Sequence, residues 1–80
     1  MPVILRYKGY KFFFFSNEGN PREPLHVHVR KAEASAKFWL EPQVALSDSY
    51  GLSGQELREL AQVISDNRQL IERVWHEFFG

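Results

Sequence analysis

No cysteine occurs among the 80 residues, which excludes disulfides and thiolate-bound metal sites. An excess of one charge is also missing: ten Lys and Arg balance ten Asp and Glu. A neutral chain has no general field that draws it onto nucleic acid or an anionic membrane, so any such contact must come from a local basic patch. No apolar run approaches the roughly 20 residues of a membrane helix. The opening Met1-Pro2-Val3-Ile4-Leu5-Arg6 lacks the basic start and long apolar stretch of a signal peptide. The expectation is a soluble, cytoplasmic protein without membrane association. No P-loop, Rossmann glycine pattern, nucleophile elbow or zinc-finger spacing is present, and no cofactor is expected.

What the chain has in plenty is aromatic: seven Phe, three Tyr and two Trp. Residues 1–80 read as a single domain. A domain of this length buries only about 60% of its unfolded surface, so a homodimer or another partner would help its stability.

Val3 to Tyr7 and Tyr10 to Ser16 read as two strands joined by a Lys8-Gly9 hairpin turn. That register sets Tyr7 against Tyr10, Leu5 against Phe12 and Val3 against Phe14, with Arg6 against Lys11. Phe12-Phe13-Phe14-Phe15 is then apolar on both faces of the sheet. One face can take helices; the other is either covered by a partner or buried by the curl of a small sheet. The polar, proline-containing stretch Asn17 to Pro24 is a loop that brings Asn17, Glu18, Asn20 and Arg22 toward the next strand.

That strand, Leu25 to Lys31, alternates strictly: Val27 and Val29 face one way, and His26, His28 and Arg30 the other. A four-residue connection, Ala32 to Ser35, leads to a fourth strand from Ala36 to Glu41. This pairing sets Glu41 opposite His26, Trp39 opposite His28 and Lys37 opposite Arg30. An error of two residues in the connection would change these partners but keep the faces. Val44 and Leu46 fit a short fifth strand before a turn at Asp48 to Gly51, with Asp48 either a turn-former or a functional carboxylate. Ser53 and Glu56 form a capping box, and Leu57, Leu60, Ala61 and Ile64 recur at helical spacing behind it. Leu70, Ile71, Val74, Trp75, Phe78 and Phe79 continue that spacing beyond a polar Asp66 to Gln69. This polar stretch is either a turn within one long helix or a break between two. The fold class is α+β: a mostly antiparallel sheet of four or five strands with one or two C-terminal helices on one face.

His26, His28, Arg30 and Glu41 are the candidate catalytic set. Two histidines can take and return a proton, and a guanidinium can stabilise a phosphorane, as ribonuclease chemistry requires. The alternatives are a two-His, one-carboxylate metal site and a non-catalytic face. Lys11, Lys37 and Trp39 are candidate nucleic-acid contacts. They lie within a wider basic group of Arg6, Lys8, Arg30 and Lys31, with Tyr10 as a second stacking ring.

The motifs Phe13-Phe14-Phe15-Ser16-Asn17-Glu18, Glu23-Pro24-Leu25-His26-Val27-His28-Val29-Arg30 and Ala36-Lys37-Phe38-Trp39-Leu40-Glu41-Pro42 resemble a small bacterial family of unknown function, the domain numbered 4160. So does the close of the chain, from Glu56-Leu57 to Trp75-His76-Glu77-Phe78-Phe79. One departure is Leu25, where the family often has a second proline. The resemblance implies a toxin of a type II toxin–antitoxin module; action on RNA is the expectation that the His26, His28, Arg30 and Glu41 face adds to it. It also implies a cognate small protein from a neighbouring gene, a domain of unknown function numbered 2442, as antitoxin. The family's most recognisable motif falls on His26, His28 and Arg30 and brings no settled reaction. The rival expectation is a non-catalytic module that binds protein or nucleic acid.

Overall fold

A computed structural model describes residues 3–16 and 23–80. Five strands, β1 (Val3–Tyr7), β2 (Tyr10–Phe13), β3 (His26–Lys31), β4 (Ala34–Trp39) and β5 (Ala45–Tyr50), pair antiparallel in sequence order. Two helices follow, α1 (Gly54–Asp66) and α2 (Arg68–Phe79). The expected α+β class is therefore observed. Leu60, Ile64, Ile71 and Trp75 of the helices pack with Phe12, Phe14, Val27, Val29, Phe38 and Leu40 of the sheet side. The opposite sheet face carries polar side chains together with Val3, Phe13 and Trp39.

Local chemistry accounts for most element ends. Lys8 and Gly9 both take positive φ (48° and 84°), the backbone that lets a two-residue turn match the strand twist. Ser53 accepts from the Glu56 N–H, and Glu56 accepts from the Ser53 N–H at 2.8 Å, which completes the capping box. The polar stretch at residues 66–69 is a break. Asn67 ends α1, and its side-chain amide donates to the Val63 carbonyl at 2.8 Å.

Several boundaries differ from expectation. β2 ends at Phe13, and an irregularity between Val3 and Leu5 pairs Val3 with Phe13 instead of Phe14. The connection between β3 and β4 is Ala32-Glu33 alone, so β4 starts at Ala34 and the register shifts by two. His26 now faces Trp39, His28 faces Lys37 and Arg30 faces Ser35. Glu41 lies beyond β4, and the faces are as expected. Asp48, Ser49 and Tyr50, expected as a turn, form the second half of β5. The proposed loop contributors Asn17, Glu18, Asn20 and Arg22 lie outside the described residues.

Ala32 carries φ 52°, a left-handed backbone that L side chains resist. Ala32→Gly is expected to stabilise the domain by about 0.5 kcal/mol, relief of that strain exceeding the added chain entropy. Chemical denaturation at constant m-value would read the shift.

Helix α1 is fixed to the first hairpin by a polar cluster. The Tyr7 hydroxyl donates to Glu59, Lys8 pairs with the same carboxylate at 3.0 Å, and the Tyr10 hydroxyl donates to Glu56 at 3.1 Å. Glu59 is held below the usual carboxylate range by the Tyr7 hydroxyl and then by Lys8. Glu56 is held low by the Ser53 backbone N–H, the Ser53 side chain and Tyr10. Tyr7 is raised chiefly by Glu59, and Tyr10 chiefly by burial. The depressed carboxylates contribute stability that is complete above their ordinary value of 4.5 and is lost as pH falls through the lower folded values. The raised tyrosines contribute stability that is complete below 10.0 and is lost as pH rises through the folded values. The melting-temperature difference between wild type and Glu59→Gln is therefore expected to be flat near neutrality and to shrink in acid. A difference that persists undiminished at the lowest pH would contradict this cluster's role.

Candidate nucleic-acid interface

The open face of the sheet is organised in rows that run across the strands. The pairings Arg6–Lys11, Lys11–Arg30, Arg30–Ser35 and Ser35–Tyr50 align one side chain from every strand. The next row is Val3, Phe13, His28, Lys37 and Asp48. A third contains His26, Trp39 and Ala45. Facing side chains in such rows are about 5 Å apart.

Three cations, Arg6, Lys11 and Arg30, thus stand side by side on adjacent strands. Like charges directly opposite destabilise a sheet. Among the described residues, none of the three has an ion-pair partner. Lys37 adds a fourth cation one row away. Its ammonium lies 4.4 Å from the Trp39 ring centroid and 3.2 Å from a Glu23 carboxylate oxygen. Asp48, opposite Lys37, is the one carboxylate these rows contain, and it accepts from the Ser49 N–H at 3.0 Å.

The two histidines have different surroundings. His26 is fully buried. Its Nδ1 is 2.9 Å from the Pro24 carbonyl, to which it donates, and its ring packs edge-on to Trp39 and against Trp75 of α2. His28 is half-buried, stacked on Phe13 at 5.7 Å and edge-on to Phe15 at 4.5 Å. Glu41 does not face His26: its Oε1 accepts from the Leu25 N–H at 3.3 Å and holds the entry to β3. The expected quartet His26, His28, Arg30 and Glu41 is therefore not gathered into one row.

A shallow groove of about 200 Å³ is what the face does assemble. Its walls include Phe13, Phe15, His28, Arg30, Lys37 and Asp48. Among the described residues, no three His, Asp or Glu side chains are grouped to hold a metal ion.

The expected basic group divides between the two faces. Arg6, Lys11, Arg30 and Lys37 share the open one. Lys8 turns to Glu59, and Lys31 lies 4.9 Å from the Tyr10 ring centroid on the helix side. Tyr10, expected as a second stacking ring, is buried in the core. Phe13, Phe15 and Ser35 line the groove without being candidates from the sequence. The signal for Phe15 was its alternation with Phe13, which puts both on the histidine side. Ser35, expected in the connection before β4, lies within the strand.

No described helix is long and apolar enough to cross a membrane. No curated protein and no solved structure matches the chain significantly. A family model described as a domain of unknown function matches residues 9–76. By that match over most of its length, the chain belongs to the DUF4160 family.

Proposed function

We propose that the open sheet face binds single-stranded RNA, and that the protein is the RNA-acting toxin of a cytoplasmic two-gene module. The observation that carries the binding reading is the Arg6–Lys11–Arg30 row. A like-charged row costs the free protein stability and gains from a polyanion laid across it. Trp39 and Phe15 border the face and offer rings on which bases can stack. The toxin setting, with an antitoxin encoded next door, rests on the family resemblance.

The geometry favours binding over strand cleavage. A pair of accessible acid–base groups is what cleavage of the 2′-hydroxyl type needs. His26 is buried and Glu41 is engaged with the Leu25 backbone, so His28 is the one histidine in the groove.

The test has two parts. Fluorescence anisotropy with short single-stranded RNA reads binding directly. Expression in the native host, with and without the neighbouring gene, reads toxicity and rescue. Expected are binding by wild type, weakened but not abolished in His28→Ala, and growth arrest relieved on co-expression. Loss of toxicity in His28→Ala with RNA binding retained would restore the catalytic reading. Absence of RNA binding would overturn the proposal.

A further inference from the structure

The groove has a composition that its place on a binding face does not by itself require. Its ring side is built in depth. Phe13 is only 4% exposed and forms a floor on which the His28 ring stacks at an interplanar angle of 25°. Phe15, 38% exposed, stands edge-on to both rings. Its cationic side is Arg30 with Lys37, diagonal neighbours on paired strands about 7–8 Å apart. A volume of about 200 Å³ suits one base; pockets for larger ligands run to about 300–1,000 Å³.

Glu23 supplies the second observation. It is held near the groove by its neighbours: His26 binds the Pro24 carbonyl, and Glu41 binds the Leu25 N–H. Its carboxylate sits on the Lys37 ammonium, the two side chains 44% and 25% exposed. A carboxylate on a cation that lines a groove occupies a position that a phosphate could take. An ion pair this exposed is weak enough to exchange. Asp48, paired across from Lys37, also lines the groove, and its charge disfavours a phosphate on its own side.

We propose that this groove is a nucleotide subsite, taking one unpaired RNA base against Phe15 and His28 with its phosphodiester on Arg30 and Lys37, and that the phosphate displaces Glu23. The inference rests on the RNA-binding reading and localises it.

Backbone amide resonances of the full chain, titrated with a short oligouridylate and separately with inorganic phosphate, test it. The oligonucleotide is expected to shift Phe15, His28, Arg30 and Lys37. Phe15→Leu, which keeps apolar bulk but removes the ring, is expected to weaken binding about tenfold. Glu23→Gln is expected to tighten it about two- to fivefold, because the phosphate then meets no competitor. Equal response to phosphate alone would overturn the base site. Failure of Glu23→Gln to tighten binding would overturn the displacement. Oligonucleotide binding with shifts confined to Arg6 and Lys11 would overturn the subsite and leave the face reading standing. No binding by any form would overturn both.

Discussion

Lys11→Glu is expected to make the protein more stable and to remove most of its RNA binding. Lys11 stands between Arg6 and Arg30, paired with both. Reversing its charge turns two repulsive cross-strand pairs into attractive ones, a gain of about 0.5–1.5 kcal/mol at the usual size of such pairs. The same change deletes one phosphate contact and engages the two cations beside it. A charge-assisted hydrogen bond contributes about 1.5–3 kcal/mol, so the combined loss is expected to reach about 100-fold in affinity. Lys11→Gln should fall between the two in both properties. Thermal melting and anisotropy on the same samples would show the opposite signs. A purely structural row would give a stability change with no effect on binding.

His26→Ala is expected to cost about 2–4 kcal/mol, in the range of large-to-small core substitutions. The ring fills space between Trp39 and Trp75, and its Nδ1–H satisfies the Pro24 carbonyl. A domain of this length has a total stability of only about 4–12 kcal/mol, so the variant should be unfolded in part at growth temperature. His28→Ala, at a half-buried position, should cost about 1 kcal/mol or less. Urea denaturation of the two variants separates these outcomes. A loss of any activity in a His26 variant therefore reports lost fold and not lost chemistry. Equal stability of the two variants would return His26 to the candidates for an active group.

The contrast between the histidines shows what alternation can and cannot read. Strict period two put His26, His28 and Arg30 on one face, and the structure keeps them there. Alternation assigns a direction but not a depth. His26 is buried because Trp75, near the end of the last helix, reaches the start of β3, a contact 49 positions away in sequence that no local pattern reveals. The helix start at Ser53 was legible because a capping box is local and uses specific side chains. The β3–β4 turn was not, because Ala32 takes a positive φ without the Gly or Asn that signals one. The row of cations was half legible. Arg6 opposite Lys11 follows from the Lys8-Gly9 turn, whereas Lys11 opposite Arg30 depends on pairing across a long loop, whose register no turn type fixes.

The salt dependence of single-stranded RNA binding tests the central claim most directly. Contacts from Arg6, Lys11, Arg30 and Lys37 to four phosphates would give log K against log salt a slope of about −3, at about −0.7 per phosphate neutralised on a single strand. The slope should become shallower by about 0.7 in Arg30→Gln, uniformly across RNA sequences. A flat salt dependence, or a slope unchanged in that variant, would contradict an RNA-binding face built on these four cations.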